Sequence, residues 1–467
     1  MEVRSEITTL FPLNRILPVI IVIEGFVSIA IEILCIRQLL PVAGGSVIVT
    51  SLIIGFFLLS LALGYQQGGK RNANFQKVLR TNFFIAAIWF GIGLSYLFVE
   101  IFFYSIQKMS GPHILFPLIA YLVLVVAPLV YILGQTIPIT MHMIRQTASA
   151  GKIGGNTLGL STLGSFMGAL VTTLICMYFF GVAWTIVINF LLLQFITILL
   201  VETRIAFYLQ LFVTLVMTVI IYNLNIPAEN SLFILTDNYA NYQIRDSNNS
   251  SMAKGEKMLV INDGISSFIN NEKHGLRYIE LIKKMLFDDM KLQNADILVL
   301  GAGGFTVSAE NKQHNKFTYV DIDNKIKKIT VPGFIHEVDG SLIIDDARHY
   351  IQSVAKLYDV IISDAYSDVK AVPAHLLTYE YMQAIHKRLT ANGLAIFNIV
   401  ANPTLADPYS RRIDNTIRAV FSDCMVVPLV YANRATNIIY TCRNANQIDK
   451  QVYSDNLNNS ATDSFAW

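Results

Sequence analysis

Charged residues are scarce in the first half of this chain of 467 residues. Lys and Arg number 35 and Asp and Glu 33, but residues 16–225 contain only 13 of these 68 side chains. So little charge over such a length excludes an ordinary soluble domain for this region. Crossing the hydrocarbon layer of a bilayer takes roughly 20 consecutive apolar residues. Seven stretches are long enough, at about 16–36, 46–66, 82–107, 114–134, 158–180, 182–201 and 205–222.

These stretches predict a transmembrane all-α bundle of about seven helices over residues 1–225, which makes the chain a multi-pass protein of the cell membrane in contact with the lipid bilayer. The first stretch is too long for a cleaved signal peptide, and six more follow it. Close packing of one helix is expected from two pairs of glycines spaced four apart. They are Gly155, Gly159, Gly164 and Gly168.

Two carboxylates interrupt the first predicted span, Glu24 and Glu32. An ionisable residue inside a span is a candidate functional site, because a charge in lipid is unfavourable. The alternative for Glu32 is that it lies near the helix end and reaches the interface.

Cysteine is also scarce, with only four in the chain. Cys35 and Cys176 fall in predicted spans, and Cys424 and Cys442 in the polar half. No CxxC, HExxH or histidine cluster occurs, so we expect no metal site. We also expect Cys424 and Cys442 to be two buried thiols near late strands rather than a disulfide.

Basic-aromatic patches are missing from the second half. The chain has a formal charge of +2, and the part before residue 226 carries +5, so the remainder carries −3. We therefore expect no nucleic-acid partner. An acidic pocket in a mildly acidic domain suits a cationic amine.

The polar half alternates strand and helix patterns from residue 296. Five short apolar runs, DILVLG, KFTYVDID, SLIIDD, YDVIISD and LAIFNIV, alternate in part with amphipathic segments. This pattern predicts an α/β doubly wound, Rossmann-like domain. The turn after the first strand has no phosphate-binding Lys and no complete GxGxxG, because position 306 is Thr, which favours an adenosyl sulfonium over a dinucleotide and so a fold of the S-adenosylmethionine-transferase type. The expected organisation is a small β subdomain with a linking helix at 226–290, a nucleoside-binding domain at 291–450 and a disordered tail at 451–467.

Candidate site residues follow the predicted strands, because ligands of such sheets bind beyond the carboxyl ends of the strands. A glycine-rich turn lets a ligand approach the backbone, and an acid about 20 residues later can bind ribose hydroxyls. The residues at strand ends are Gly301, Gly303, Asp321, Asp345, Asp346 and Asp364.

At this point the sequence resembles a family. YQ at 242–243, NDG at 262–264, RYIE, LVLGAGG, VDID, IIDDARHYI and YDVIISDAYSD are similar to segments of the spermidine synthases, the polyamine aminopropyltransferases. SIAIEILCIRQLL, LGQTIPI and GNTLGLSTLGSFMGA resemble the integral-membrane branch of that family. The resemblance implies decarboxylated S-adenosylmethionine as co-substrate and a polyamine as acceptor, and self-association into a homodimer is left open.

The resemblance also implies roles for single residues. Asp321 would bind the ribose, Asp346 with Asp345 would lie near the adenine amine, and Asp364 would accept the proton of the attacking amine. Gln243 would line the nucleoside pocket. Further positions implied at the amine are Tyr242, Tyr278 and Asp368.

Two departures from the family fall on positions that read the substrate. The synthases have GGGDG after the first strand, whose Asp pairs with the aminopropyl amine, where this chain has GAGGF; the family's YHE is YIE, with Ile279. Two alternatives therefore remain. One is a transferase that uses S-adenosylmethionine itself. The other is a transporter or sensor that binds a polyamine or nucleoside without turnover, which Glu24 and Glu32 favour.

The side of the membrane on which the polar domain lies is argued both ways. Lys and Arg collect in cytoplasmic loops. Seven of them lie in loops after the second, fourth and sixth spans, at Lys70, Arg71, Lys77, Arg80, Arg145, Lys152 and Arg204, against Arg37 and Lys108 in the alternate loops. With seven spans this bias places the C-terminal domain outside. We nevertheless predict a cytoplasmic domain, because its adenosyl co-substrate is made there.

Overall fold

The computed structural model describes residues 12–43, 47–110, 115–144, 149–236, 240–246, 254–262, 264–309, 313–366, 372–443, 454–455, 458 and 460. These residues form two compact units, with the division between Ala240 and Asn241. The first unit is helical and the second is built on two β-sheets.

The first unit contains ten α-helices among the residues that the structure describes. They are α1 Leu13–Ala43, α2 Val47–Gly69, α3 Phe75–Gly93, α4 Tyr96–Ser110, α5 Leu115–Tyr121, α6 Ala127–Gly134, α7 Thr136–Ile144, α8 Ala150–Val171, α9 Tyr178–Leu199 and α10 Arg204–Leu232. A short strand, β1 Leu235–Thr236, follows. Single π-helical turns at Leu122–Val126 and Thr172–Met177 continue α5 into α6 and α8 into α9.

Several of these helices are long and apolar enough to cross a membrane. Five qualify by length and composition, and a sixth span results if α3 and α4, which are bent by 68° at their junction, are counted together. The count is thus lower than the predicted seven. The difference lies in residues 150–199, which pass as one helical stretch although the sequence predicts two spans there.

A break inside that stretch falls where the two predicted spans meet. Gly181 has φ 80° and ψ −179°, a conformation that L side chains rarely adopt. The helix restarts after it, and the freed N–H of Ala183 donates to Glu229 Oε1 of α10 at 3.2 Å. Glu229 also accepts a hydrogen bond from Thr236. An acidic side chain at a helix start satisfies donors that lack an intrahelical partner.

Close packing of α1 on α8 confirms half of the predicted glycine pattern. A Cβ built on Gly164 would lie 2.1 Å from Val22 O, and one on Gly168 would lie 2.4 Å from Phe26 O. Ser165 Oγ donates to Gly25 O at 3.1 Å. Gly155 and Gly159 have no such neighbour within 4 Å in the described part of the chain, so only the second glycine pair serves this contact.

The second unit begins with three antiparallel strands. They are β2 Asn241–Asp246, β3 Lys257–Ile261 and β4 Gly264–Ile269. Leu259, Ile269 and Phe334 form the apolar core on this sheet. Helix α11, Arg277–Lys283, and a π-helical turn at Lys284–Asp289 lead into the larger domain.

The larger sheet has seven strands in the order β10–β11–β9–β8–β5–β6–β7. Its strands are β5 Asp296–Leu300, β6 Lys316–Asp321, β7 Ser341–Ile344, β8 Tyr358–Ser363, β9 Leu389–Ala401, β10 Cys424–Pro428 and β11 Thr436–Cys442. The helices are α12 Ile326–Gly333, α13 Ala347–Ser353, α14 Tyr379–Lys387 and α15 Pro408–Arg418, with 3-10 turns at Thr306–Ser308 and Ala374–Leu376. β5 to β9 pair in parallel, and β10 and β11 are antiparallel. The predicted Rossmann-like fold class is confirmed.

The expectation of two free thiols in this unit is wrong. Cys424 and Cys442 form a disulfide, with Cα atoms 4.1 Å apart. They are directly paired in the antiparallel register of β10 and β11. The sequence places both cysteines near late strands but does not show that these strands pair, and only their pairing brings residues 18 positions apart side by side.

A few residues of the tail that was expected to be disordered are described, and they make contacts. Asp455 pairs with Arg348, and its N–H donates to Glu380 Oε2 at 3.1 Å. Asn458 donates to Ala374 O. At these positions the structure differs from the expectation, because the larger domain offers polar partners to the tail.

Candidate active site

The candidate site lies at the carboxyl ends of β5, β6, β7 and β8. The chain runs from β5 outward to β6 and β7 and then returns to β8 on the other side of β5. Such a reversal leaves a crevice between β5 and β8, where ligands of open α/β sheets bind.

The glycine-rich turn after β5 closes tightly over the end of β8. Gly301 has φ +102°, and a Cβ there would lie 2.4 Å from Asp364 O. Only glycine fits this position, for reasons of both conformation and space. Gly303 also has a positive φ, 48°. The turn therefore brings bare backbone to the crevice, as the sequence predicts.

Asp321, at the end of β6, is tied to that turn. Its Oδ2 accepts the N–H of Ala302 at 2.9 Å, and its Oδ1 accepts the N–H of Asp323 at 3.0 Å. Burial raises the pKa of Asp321, and its hydrogen bonds from Asp323 and Ala302 oppose that rise. Asp321 is thus held by backbone N–H groups of the turn after β5 and of the segment after β6.

Asp345 and Asp346 follow β7. Asp346 Oδ1 accepts the N–H of Arg348 at 2.9 Å and of His349 at 3.0 Å, so it caps α13. Its Oδ2 lies 3.2 Å from His375 Nε2. Burial raises the pKa of Asp346, but the His349 N–H and the His375 imidazole outweigh it and hold the pKa below its usual value. Asp345 Oδ1 accepts the Asp346 N–H at 2.8 Å.

Asp364 has a hydrogen-bond donor on each carboxylate oxygen. Tyr278 of α11 donates to Oδ2 at 2.9 Å, and Asn398 Nδ2 of β9 donates to Oδ1 at 2.8 Å. Burial raises the pKa of Asp364 to about 6, against the two hydrogen bonds, which lower it. Burial and the neighbouring Asp364 carboxylate raise the pKa of Tyr278 well above its usual value. A carboxylate that titrates near neutrality can exchange a proton with an amine.

The position that holds the amine-reading acid in the resembling family has no room for one here. A Cβ on Gly304 would lie 2.4 Å from Phe334 Cε1 and 2.6 Å from Ser267 Cβ. The Gly304 N–H donates to Ser267 Oγ at 2.8 Å. The side chains of Phe334 and Ser267 thus fill the space that an acid at position 304 would need.

The structure brings some predicted residues together and not others. Tyr242 Oη donates to Asp323, on the nucleoside side of the crevice rather than toward Asp364. Gln243 Oε1 accepts from Arg245 Nε at 2.9 Å in an exposed pair on β2. Asp368 lies outside the described residues. Glu24 and Glu32 belong to the helical unit, where Ser28 donates to Glu24 Oε1 at 2.9 Å.

Three residues at the site were not found by sequence reasoning. They are Asn398, His375 and Tyr366, whose hydroxyl donates to Asn398 O at 2.7 Å. Asn398 follows an apolar run in LAIFNIV, where a lone polar residue among apolar ones was the available signal. The other two lie in loops and carry no periodic signal.

Comparison with known families decides what the domain is. Residues 275–451 match the family model described as the Spermine/spermidine synthase domain. The chain carries this domain. The resemblance seen in the sequence is thereby confirmed for the spermine/spermidine synthase domain, which contains Tyr278 and all candidate residues of the larger sheet. The helical unit lies outside the matched segment.

Curated relatives match over shorter lengths. The chain is 30% identical over 137 residues to an N-terminal histidine N-methyltransferase of Emericella nidulans, which covers 28% of this chain and 24% of that protein. It is 29% identical to polyamine aminopropyltransferase 2 of Hyperthermus butylicus, over 30% of this chain and 49% of that one. For polyamine aminopropyltransferase 2 of Pseudomonas aeruginosa the identity is 25%, over 39% and 52%. The chain thus spans about half or less of the length of these relatives.

Solved structures give weak overall likenesses. A probable spermidine synthase from Corynebacterium glutamicum is 21% identical, with a TM-score of 0.38, over 44% of this chain and 77% of that one. Spermidine synthase from Thermotoga maritima is 16% identical, with a TM-score of 0.34, over 50% and 82%. Scores of this size add nothing to the strand order, which already defines the fold.

Proposed function

We propose that the chain is a membrane-bound, spermidine synthase-like aminopropyltransferase. It would move an aminopropyl group from decarboxylated S-adenosylmethionine to an amine of a polyamine. The single observation that carries this proposal is the Asp364 carboxylate, half-buried at the end of β8 and beside the backbone of Gly301. The matched family domain and the relatives named as polyamine aminopropyltransferases support it.

The acidic residues of the site suit both proposed substrates, the sulfonium nucleoside and the cationic amine. Asp321 and Asp346 offer carboxylate oxygens to a nucleoside, and the Gly301–Gly304 turn offers an approach without side chains. A cationic amine would meet Asp364, the acid held by Tyr278 and Asn398. Among the described residues no group of His, Cys, Asp and Glu is placed to hold a metal ion.

Asp364 would act as the base. An alkylammonium cannot attack carbon until it loses a proton, so the carboxylate would first take that proton and the neutral nitrogen would then attack the carbon next to the sulfonium. The new N–C bond forms, the C–S bond breaks, and its electron pair stays on sulfur, which leaves as the neutral thioether. Tyr278 and Asn398 would keep the carboxylate turned toward the amine.

The test is product analysis on the full-length protein purified in detergent. The protein is supplied with decarboxylated S-adenosylmethionine and putrescine or spermidine, and products are followed by mass spectrometry. We expect methylthioadenosine and an amine heavier by one aminopropyl unit, and neither product from Asp364→Asn at a comparable rate. No product from the wild type with this donor would reject the proposal.

A second candidate function is transfer from S-adenosylmethionine itself, and the packing of Gly304 favours it. The site has no acid to read the aminopropyl amine, and an acid there would repel the carboxylate of intact S-adenosylmethionine. The same assay with S-adenosylmethionine, scored for methyl or aminocarboxypropyl products, separates the two donors. A third candidate, polyamine transport or sensing without turnover, rests on Glu24, whose Oε2 has no hydrogen-bond partner among the described residues. Binding without product from either donor would favour it.

The side of the membrane is part of the proposal. We propose that the active domain faces the cytoplasm, where its donor is made. With seven spans the loop charges oppose this placement, and with the six spans counted by length and composition they favour it. The Cys424–Cys442 disulfide opposes it, because disulfides persist mainly in oxidising compartments.

Labelling with a membrane-impermeant maleimide in intact cells tests the side directly. Ser353→Cys reports on the exposed end of α13 and Ala73→Cys on the exposed loop after α2, both with Cys35 and Cys176 replaced by alanine. Protection of Ser353→Cys until the cells are opened supports the cytoplasmic placement. Labelling of Ser353→Cys alone in intact cells would place the domain outside.

A further inference from the structure

Asn398 is a buried polar residue in the middle of the largest sheet. It lies on β9 and is 3% exposed. Its Nδ2 donates to Asp364 Oδ1 at 2.8 Å. The contact follows from the parallel register, in which Ser363 of β8 pairs with Phe397 of β9, so the next residue of each strand lies alongside the other.

A second amide fixes which way Asn398 faces. The nitrogen and oxygen of an Asn side chain are told apart only by their partners. Asn437 of β11 donates from Nδ2 to Asn398 Oδ1 at 2.9 Å, which leaves the NH₂ group of Asn398 for Asp364. Tyr366 adds a third tie, since its hydroxyl donates to Asn398 O and accepts the Val400 N–H at 3.0 Å. The result is a line of side chains, Asn437 to Asn398 to Asp364, across three neighbouring strands.

We propose that Asn398, oriented by Asn437, is a positioning residue that holds the Asp364 carboxylate ionised and fixed in direction for the incoming amine. The catalytic part of this statement rests on the proposed function. The geometric part, that the amide pair controls Asp364, does not.

The physical consequence concerns the proton affinity of Asp364. A donor hydrogen bond stabilises the carboxylate over the neutral acid, so its loss raises the pKa. The titratable groups that face Asp364 are Tyr278 from α11 and Tyr366 from the loop after β8. Both are phenols whose own pKa values are raised well above the usual range, so neither changes charge while Asp364 titrates.

The experiment follows the titration of Asp364 itself in the full chain. Infrared difference spectra between wild type and Asp364→Asn, recorded against pH, isolate the carboxyl band of this residue. We expect Asn398→Ala to move its midpoint upward by roughly one pH unit. Asn437→Ala should move it in the same direction by less, because Asn398 keeps its place but loses its orientation.

The matched control is another amide pair, formed by the buried Asn402 just after the same strand and the exposed Asn433. Asn402 Nδ2 donates to Asn433 Oδ1 at 2.6 Å, and Asn402 is also 3% exposed, but neither residue contacts Asp364 among the bonds described. Asn402→Ala should leave the midpoint unchanged. An unchanged midpoint in both Asn398→Ala and Asn437→Ala would overturn the proposal and make Asn398 a packing residue.

Two further readouts separate this inference from the proposed function. If the protein is an active transferase, the acid limb of its kcat/KM profile should move upward in Asn398→Ala by the same amount as the infrared midpoint. If the wild type has no activity but the midpoint still moves, the proposed function fails and the amide pair stands. Should Asn398→Ala not fold, Asn437→Ala decides alone: a raised midpoint supports the pair, and an unchanged one rejects it.

Discussion

The helical unit and the sheet unit each bury a carboxylate, and they treat it differently. Among the described residues, the partners of Glu24 of α1 are two serine hydroxyls, those of Ser28 and Ser161. Asp364 has a donor on each oxygen, supplied by a helix and by the next strand. In a helix bundle the backbone donors are spent within each helix, so a mid-span acid depends on nearby side chains. At the carboxyl end of a central strand, side chains from several elements converge and can donate to both oxygens of one carboxylate.

The largest effect is expected from Asp364→Asn, which changes the carboxylate of the sheet unit. Asp364→Asn keeps the size and both neighbours but cannot take a proton. If Asp364 is the base, turnover falls on the order of 100-fold or more, while affinity for methylthioadenosine changes little. Steady-state kinetics and calorimetry on the same preparation measure both quantities. Near-wild-type turnover would reduce Asp364 to a structural residue.

The same variant also tests the raised pKa of Asp364, through the pH dependence of protein stability. The pKa of Asp364 is raised to about 6, so between its unfolded value and pH 6 the native state binds more protons than the unfolded state. Stability from this group is therefore present at low pH and is lost as pH rises through 6. Asp364→Asn should gain roughly 1–3 kcal/mol over wild type between pH 4.5 and pH 8. Denaturant unfolding at the two pH values measures it, and parallel curves would contradict the shift.

Asp321→Ala tests the nucleoside end of the sheet unit. The change removes a carboxylate bonded to the turn and to Asp323, and should weaken methylthioadenosine binding by roughly 1–3 kcal/mol. Calorimetry measures the affinity. Equal affinity in Asp321→Ala and wild type would remove Asp321 from the site.

Gly164→Val tests the packing of the helical unit. Its new side chain would meet the α1 backbone at Val22, and overpacking of this kind is destabilising by roughly 1–3 kcal/mol. Gly159→Ala, one turn away with open space at its Cβ, is the matched control and should cost far less. Thermal unfolding in detergent compares them. Similar losses in both variants would show that the contact of Gly164 with α1 is not the cause, since both substitutions replace glycine by a better helix former.

The smallest effect is expected from Glu24→Gln. If the acid is neutral or only structural, the amide replaces it with a change in unfolding free energy within about 0.5 kcal/mol. If Glu24 binds a cation, uptake of labelled spermidine into vesicles containing the protein should fall in the variant. Unchanged uptake would argue against a role of Glu24 in transport.

The sequence predicted the parts of the fold that follow from local patterns. The alternation from β5 to β9 and the glycine turn before Asp321 could be read because strand ends and tight turns have local signals. The hairpin of β10 and β11 was missed, and with it the disulfide and Asn437, because these depend on pairing between distant segments. Residues 150–199 count as one stretch by length and composition, but the break at Gly181 divides them where the sequence predicts two spans to meet. Asp364 was identified as an acid at a strand end, and its role as a base came from the resemblance. Its donors Tyr278 and Asn398 lie on other elements and were not predicted to meet it.

The occupied space beside Gly304 limits which residues can replace this glycine. The single substitution Gly304→Asp would drive the new Cβ against Phe334 and Ser267, so it is unfavourable on its own. A second substitution such as Phe334→Ala would have to come first, and Phe334 belongs to the small core with Leu259 and Ile269. An acid at position 304 therefore requires that Phe334 or Ser267 change as well, so the effect of Gly304→Asp on stability depends on the residues at those two positions.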